Sequence, residues 1–138
     1  MFVTEYVQIF RLWYGHGPTQ SLKIQNLHYF LLKLEFNTKD YIKEIKKNTE
    51  EYFHTFINRE SLAAGILLLL PGEKDTQTPH DSDEIYYIIR GDGFLKINKK
   101  DYPLSEGKVF FVAKNVEHCF FGNTTELAVL YFFGGPDS

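Results

Sequence analysis

The 138-residue chain lacks the features that mark secreted and membrane-spanning proteins. It has one cysteine, Cys119, which excludes an internal disulfide and makes a reducing, cytoplasmic compartment the expectation. Its longest apolar run, residues 62–70, has about half the length of a membrane-spanning helix. The apolar N-terminus is interrupted by Glu5 and Arg11 and has no small-residue cleavage site, so neither a secretion signal nor a membrane partner is expected.

The chain also lacks an excess of basic residues, and its net charge is −3. A surface that binds nucleic acid needs clustered lysine and arginine to neutralise phosphates. The densest basic cluster, residues 43–47, contains Glu44 and is followed by Glu50 and Glu51. We interpret this cluster as a solvated helix face, and we expect no nucleic-acid partner.

Apolar and aromatic residues are abundant instead, at 43% and 17% of the chain, with thirteen phenylalanines and nine tyrosines. Aromatic rings pack well on the half-buried surface of a β-sheet. From Tyr52 onward, short apolar or β-branched runs alternate with turn residues. This pattern predicts strands over residues 52–57, 62–70, 84–90, 94–98, 108–113, 118–121 and 126–133. Several short strands with frequent turns predict a β-sandwich or a closed barrel.

The clearest helix signal spans residues 39–49. Thr38 stands before it and is suited to be the N-cap. Charged side chains fill most of the predicted surface, and the helix has one apolar stripe, formed by Tyr41, Ile42 and Ile45. This arrangement predicts an amphipathic helix outside the strands.

Residues 91–93, Gly-Asp-Gly, give a strong turn signal between two predicted strands. The pattern predicts a hairpin in which strand 94–98 pairs back on strand 84–90. The two glycines do not indicate nucleotide binding, because they lie between strands rather than before a helix and the third glycine is missing. The next turn is predicted at residues 98–101.

Two segments carry metal-ligand residue types at a characteristic spacing. The first contains Gly72, Thr78, His80, Glu84 and Gly91. The second contains Gly107, Ala113, Asn115, His118 and Gly122, with Asn123 one place beyond the closing position. In spacing and residue type they resemble the two motifs of the cupin family. That family reads Gly-x5-His-x-His-x3–4-Glu-x6-Gly in the first motif and Gly-x5-Pro-x-Gly-x2-His-x3-Asn in the second.

The resemblance covers roughly residues 60–133 and implies an all-β fold, the double-stranded β-helix or jelly-roll barrel. We expect one cupin domain over residues 1–138. Its barrel core would span about residues 52–134, and an N-terminal extension over residues 1–51 would contain one or two short helices.

The resemblance also implies that His80, Glu84 and His118 are metal ligands. If all three point inward, two imidazoles and one carboxylate form a facial triad, which leaves coordination positions open for substrate, water or dioxygen. A divalent transition metal is therefore expected as the cofactor. We favour Fe(II), although Mn(II), Ni(II), Co(II) and Zn(II) suit the same donors.

Thr78 stands where the family has its first histidine. A neutral hydroxyl is a poor donor for a transition metal, so this substitution is expected to weaken binding or to leave a water in place of a fourth ligand. Strand alternation would put Thr78 and His80 on one face and Gln77 on the other. Asn115 stands where the family has glycine, and asparagine tolerates the left-handed conformation that glycine supplies.

Tyr86 shares a face with Glu84 if residues 84–90 form a strand. Its hydroxyl is a candidate to orient a substrate or to donate a proton, and a ring packed in the barrel is the plainer interpretation. Thr78 and Tyr86 are the candidate catalytic residues beside the metal. Cys119 is expected to point away from His118 and to pack in the core.

Two functions stay open at this point. The first is a small-molecule enzyme, an Fe(II) dioxygenase of an organic acid, amine or thiol, with isomerase or lyase chemistry as a variant on the same site. The second is a non-catalytic sensor or carrier whose metal site is degenerate. The three retained ligands favour the enzyme, and Thr78 favours the binding protein. Either would act on a small molecule. The apolar segment Phe2–Tyr14 needs covering, so we expect a homodimer with that segment at or near the interface.

Overall fold

The structure is a computed structural model that describes residues 32–48 and 50–137. The chain divides into two compact units, Met1–Glu35 and Phe36–Ser138, and every element described below belongs to the second. No helix within the described ranges is long and apolar enough to cross a membrane.

Two of the expectations from sequence concern residues that the structure does not describe. The predicted interface segment, Phe2–Tyr14, lies outside the described residues, so the homodimer stays a prediction. The organisation of residues 1–138 as one domain stays a prediction for the same reason. The cytoplasmic location, which no structural feature tests, also stays a prediction.

Over the described residues the chain forms one helix and eight strands. In chain order they are α1 (Thr38–Lys47), β1 (Phe53–Arg59), β2 (Leu62–Leu69), β3 (Glu84–Arg90), β4 (Phe94–Ile97), β5 (Lys100–Pro103), β6 (Val109–Val112), β7 (His118–Phe121) and β8 (Leu127–Phe133). The strands pair antiparallel in a five-stranded sheet, ordered β1-β2-β8-β3-β6, and a three-stranded sheet, ordered β5-β4-β7. The predicted all-β jelly-roll class is confirmed.

Strand β2 is covered on both faces. Leu67 and Leu69 contribute to the core between the two sheets. Ile66 and Leu68, on the opposite face, belong to a second cluster that includes the apolar stripe of α1. Because neither face meets water, β2 reads in the sequence as one continuous apolar run rather than as an alternation. Full burial of each such side chain stabilises the fold by about 2 kcal/mol.

The helix α1 is capped by Asn37 and not by Thr38, so the predicted N-cap was wrong. The Asn37 side chain accepts a hydrogen bond from the Lys39 N–H at 3.0 Å. Asn37 has the extended conformation that a cap requires, with φ −108° and ψ 112°, so Thr38 becomes the first helical residue. The helix ends at Lys47 rather than at residue 49. The predicted apolar stripe is confirmed by the burial of Tyr41, Ile42 and Ile45.

The hairpin predicted at residues 91–93 was wrong. Strand β3 pairs with β6 and β8, whereas β4 pairs with β5 and β7, so these residues carry the chain from one sheet to the other. Gly91 has φ 107°, and a Cβ atom there would lie 2.7 Å from the Glu126 carbonyl oxygen. Gly93 has φ 106°, and its Cβ would lie 2.8 Å from the Asn123 nitrogen. Glycine at these two positions therefore allows two backbone segments to cross closely. In the sequence, glycines at such a crossing cannot be distinguished from glycines in a tight turn.

Asp92, between these glycines, holds the crossing to the loop before β8. Its Oδ1 accepts hydrogen bonds from the Thr124 and Thr125 N–H groups at 2.8 and 2.9 Å. A hydrogen bond from the Thr124 hydroxyl, with those from the two backbone N–H groups, lowers the pKa of Asp92 to about 2. The carboxylate therefore stays ionised and keeps this crossing in place at any physiological pH.

The turn predicted at residues 98–101 is confined to residues 98 and 99, because Lys100 already begins β5, a strand that the sequence pattern did not predict. Asn98 has φ 54° in this turn between β4 and β5. The left-handed conformation expected for Asn115, where the family has glycine, is confirmed by its φ of 62°.

Candidate metal centre

Three parts of the fold place His80, Glu84 and His118 around one point. Glu84 is the first residue of β3, in the five-stranded sheet, and His118 is the first residue of β7, in the three-stranded sheet. His80 lies in the loop between β2 and β3. One ligand atom from each residue lies within 4.8 Å of the other two. The structure thus brings together the three residues that the cupin resemblance implies as ligands.

Strand alternation sets the direction of the Glu84 side chain. Glu84 and Tyr86 are buried, with 1% of each surface exposed, whereas Ile85 and Tyr87 between and after them are exposed. Alternate residues of a strand face opposite sides of the sheet. Tyr86 therefore stands beside Glu84 in the interior, as predicted, and its hydroxyl donates a hydrogen bond to Glu84 Oε2.

The imidazole of His118 is oriented by the backbone. Its Nδ1 donates a hydrogen bond to the Val116 carbonyl oxygen at 2.8 Å. In the neutral ring this leaves the lone pair on Nε2. That atom lies 3.1 Å from Glu84 Oε2, 2.9 Å from the Tyr86 hydroxyl and 3.2 Å from Gln77 Oε1. A carbonyl that fixes the tautomer in this way is the usual support of a metal-binding histidine.

The polar atoms around His118 Nε2 include more hydrogen-bond acceptors than donors. The Tyr86 hydroxyl carries one, and its possible acceptors are Glu84 Oε2, His118 Nε2 and Gln77 Oε1, the last at 3.1 Å. The other carboxylate oxygen, Glu84 Oε1, is buried and accepts no hydrogen bond from the described part of the chain. Burying a bare carboxylate oxygen is costly unless a cation is close. A metal ion held between this oxygen and His80 Nε2, which lies 4.0 Å from it, would offset that cost, whereas a proton on His118 would pair with the other oxygen, Oε2.

The donor atoms fit a divalent metal ion. Imidazole nitrogens and carboxylate oxygens lie at about 2.1 Å from such ions, so neighbouring ligands stand about 3 Å apart. The 3.1 Å between His118 Nε2 and Glu84 Oε2 already matches this spacing. The 4.0 Å between His80 Nε2 and Glu84 Oε1 would close by about 1 Å. His80, Glu84 and His118 would hold the ion, and their donor types do not choose among the transition metals.

Two pKa values in the centre are shifted upward. Burial opposes the charged form of His118, but the hydrogen bonds to Glu84 and to the Val116 carbonyl outweigh it, and its pKa is raised. Burial, together with the charge of Glu84, raises the pKa of the Tyr86 phenol. Without metal, the centre therefore favours a protonated His118 paired with Glu84 and a Tyr86 that keeps its proton.

We expect metal-free protein to lose stability as the pH rises through the pKa of folded His118. The folded pKa lies above the unfolded value of about 6.5. The stabilising contribution of protonated His118 is therefore complete below about pH 6.5 and is lost as the pH rises through the folded pKa. Urea unfolding of chelator-treated protein from about pH 6 to about pH 9 measures this loss.

Two variants separate the effect of His118 on stability from that of the other histidines. His118→Gln is expected to flatten the pH dependence of the unfolding free energy. His54→Gln, which changes a partly exposed histidine 3.8 Å from Glu44, is expected to leave it unchanged. A His118→Gln protein with the wild-type pH dependence would contradict the expectation.

Gln77 is the site residue that sequence reasoning missed. The chain has no strand between β2 and β3, so strand alternation does not apply there, and the prediction that Gln77 faces away was wrong. Its Oε1 instead lies within hydrogen-bond distance of Tyr86 and His118. The available signal was Pro79, because proline is rarely found inside a central strand.

Asp75, also missed, holds Gln77 in place. Its Oδ2 accepts hydrogen bonds from Gln77 Nε2 at 2.5 Å and from the Phe120 N–H at 2.8 Å. Its Oδ1 accepts from the Tyr52 hydroxyl at 3.0 Å and from the Gln77 N–H at 3.1 Å. No local sequence pattern distinguishes Asp75 from the other acidic residues of this loop.

A cavity of about 430 Å³ opens beside the centre. Its walls combine five tyrosine or phenylalanine rings with five other polar residues and one leucine, and its lining residues are Tyr52, Phe53, Leu67, Thr76, Gln77, Thr78, His80, Tyr86, Tyr131, Phe133 and Asp137. Thr78 is exposed where it meets this cavity, and its catalytic role stays a prediction. Such a cavity is large enough for a small organic molecule.

Cys119 lies on the other face of β7 from His118 and is partly buried. Burial raises the pKa of its thiol. A thiol with a raised pKa is a weak nucleophile at neutral pH. Cys119 points away from His118 as predicted, but it is not among the buried core residues, so the expected core packing was wrong.

The family model of the cupin domain matches residues 65–134, half of the chain. The chain therefore belongs to the cupin family. An uncharacterized protein of Streptomyces coelicolor is 29% identical over 83 residues, which cover 60% of this chain and 79% of that relative.

Solved cupin structures show the same fold. A RmlC-like cupin family protein with a double-stranded β-helix fold from Methanocaldococcus jannaschii has a TM-score of 0.61 and 18% identity, over 77% of this chain and 93% of that chain. The DMSP lyase DddQ of Ruegeria pomeroyi has a TM-score of 0.56 and 20% identity, over 60% of this chain and 46% of that chain. This chain thus spans under half of the lyase, and at these identities the likeness concerns the fold alone.

Proposed function

We propose that this cupin is a metal-dependent enzyme of a small organic molecule, of the Fe(II) dioxygenase type. The observation that supports the proposal is the convergence of His80, Glu84 and His118 beside a cavity. Two imidazoles and one carboxylate with open positions are the ligand set of non-haem Fe(II) oxygenases. Small acids, amines and thiols that fit about 430 Å³ are the candidate substrates.

The ion and the residues around the cavity would have separate roles in the reaction. A bound Fe(II) would supply the capacity to react with dioxygen. Tyr86, whose raised pKa keeps the phenol protonated, would donate a hydrogen bond to a substrate oxygen beside the ion and so orient the substrate. Thr78, where the cavity meets solvent, would hydrogen-bond the substrate as it enters. The aromatic walls would exclude water from the reacting groups.

A non-catalytic binding barrel is the second candidate, and two observations favour it. Thr78 stands where the family has a histidine. In addition, a protonated His118 already pairs with one oxygen of the buried carboxylate, Glu84 Oε2. On this alternative the cavity would hold a small molecule with no metal.

Metal analysis of the purified, tag-free protein, followed by oxygen-uptake assays, tests the proposal. We expect near-stoichiometric transition metal and oxygen consumption with at least one small acid, amine or thiol after anaerobic reconstitution with Fe(II). Substrate loss without oxygen uptake would replace the dioxygenase with lyase or isomerase chemistry. Protein that takes up no metal even after reconstitution would overturn the proposal. Thermal stabilisation by a small molecule would then support the binding barrel.

A further inference from the structure

We infer that Gln77 Oε1 is a fourth metal-binding atom of this centre and replaces the imidazole that the cupin motif places at Thr78. The inference rests on the proposed function, because it supposes an ion held by His80, Glu84 and His118. It concerns a neutral side chain whose position in the first cupin motif is not one of the motif's ligand positions.

The orientation of the Gln77 amide is settled by its partner. Gln77 Nε2 lies 2.5 Å from Asp75 Oδ2. An ionised carboxylate only accepts hydrogen bonds, so the amide NH₂ group must face Asp75. The amide oxygen then points the other way, towards Tyr86 and His118. An oxygen lone pair is thus aimed into the centre by a charge-assisted hydrogen bond.

The position of this oxygen matches that of a ligand. Gln77 Oε1 lies 3.2 Å from His118 Nε2, and about 3 Å separates two ligands on the same ion. Amide oxygens are metal ligands in proteins, and they suit the harder divalent ions such as Mn(II). Thr78, by contrast, is exposed.

Asp75 makes the placement rigid. Its two oxygens accept four hydrogen bonds, from Tyr52, Phe120 and both N–H groups of Gln77. Phe120 lies two residues after His118 on β7, so the support of Gln77 and the ligand His118 share one strand. A donor positioned in this way needs little rearrangement to meet an ion.

The test is titration of metal-free protein with Co(II), followed by visible absorption and by competition with a chelator. We expect Gln77→Ala to raise the Co(II) dissociation constant by about 10- to 100-fold. Gln77→Glu keeps an oxygen donor but loses the hydrogen bond from the amide to Asp75, so it is expected to bind Co(II) more tightly than Gln77→Ala does. Thr78→Ala, the matched control in the adjacent position, is expected to stay within about twofold.

Gln77→Glu separates a ligand from a purely structural residue. It sets two carboxylates against each other at Asp75, so a residue that only bridged Asp75 to Tyr86 would be weakened by this change as much as by alanine. Tighter Co(II) binding by Gln77→Glu than by Gln77→Ala, with a changed absorption spectrum in Gln77→Ala, supports the inference, and equal weakening in the two variants contradicts it. Gln77→Met, which removes the oxygen and keeps the side-chain volume, replaces the alanine variant if thermal melts show that the latter is unfolded.

The outcomes distinguish this inference from the proposed function. Wild-type affinity in Gln77→Ala or Gln77→Met, together with weakened binding in His80→Ala, would overturn the role of Gln77 and leave the proposed function standing. Wild-type protein that does not bind Co(II), with no difference from His80→Ala, would overturn the proposed function and the inference with it.

Discussion

Replacement of Glu84 by glutamine is expected to lower the affinity of the centre for a divalent metal ion by at least about 100-fold. Glu84 supplies the negative charge of the triad, and its side chain is fully buried. In such surroundings the attraction between a carboxylate and a cation is poorly screened. Glutamine keeps the side-chain volume but removes the charge, so the packing of the barrel is retained. Metal analysis and Co(II) titration measure the loss.

Glu117→Gln is the matched control for this change. Glu117 precedes His118 in the sequence and is exposed, so its replacement alters the net charge by the same amount without reaching the centre. Its metal affinity is expected to stay within about twofold of the wild type. Full metal content in Glu84→Gln would show that the ion binds elsewhere on the protein.

Replacement of Gly91 by alanine is expected to reduce the free energy of unfolding by more than about 3 kcal/mol. At φ 107° an L-residue is strained, and the new Cβ would stand 2.7 Å from both Glu126 O and Leu127 Cα. Both are backbone atoms at a crossing between the sheets, so a change of side-chain rotamer cannot relieve the clash. Urea unfolding followed by tyrosine fluorescence measures the effect.

Gly72→Ala measures the cost of the left-handed backbone conformation without a steric clash. Gly72 has φ 86°, yet a Cβ there would meet no atom within 4 Å. Its replacement is therefore expected to cost only about 1–2 kcal/mol, the penalty of the left-handed region. Equal losses in the two variants would mean that the close approach at Gly91 is absorbed by movement of the backbone.

Most of the strands were predictable because burial leaves a trace in the sequence, either an alternation as in β3 or a continuous apolar run as in β2. Strand β5 has no such trace, because its first two residues are charged, and it was not predicted. The predicted bounds of β3 and β7 agree with the structure, and in β3 the buried and exposed residues alternate as Glu84, Ile85, Tyr86 and Tyr87. The partner of β4 was not predictable, since Gly91 and Gly93 serve a crossing between sheets as well as they serve a hairpin. Pairing is decided by distant residues such as Phe121, opposite Phe94, and local sequence does not record it.

The residues of the metal centre also include some that could be predicted from the sequence and some that could not. His80, Glu84 and His118 were identified because their spacing resembles a family motif, and strand alternation placed Tyr86 beside Glu84. Gln77 and Asp75 lie in a loop, where side-chain direction follows no period. Their orientation depends on contacts with Tyr52, which precedes them in the chain, and with β7, which follows them by over 40 positions. Residues that a family motif or strand alternation marks were found, and residues placed only by long-range contacts were not.

The origin of the ligands in both sheets has a consequence for the lifetime of a bound ion. Glu84 belongs to the five-stranded sheet and His118 to the three-stranded sheet, so an excursion that parts the sheets also separates the ligands. Breathing of the barrel would then be one route for release of the ion, beside exchange through the cavity that opens at His80. Conversely, an occupied centre opposes that breathing, because binding to the closed barrel lowers its free energy by mass action. Ion binding and barrel closure are therefore expected to stabilise each other.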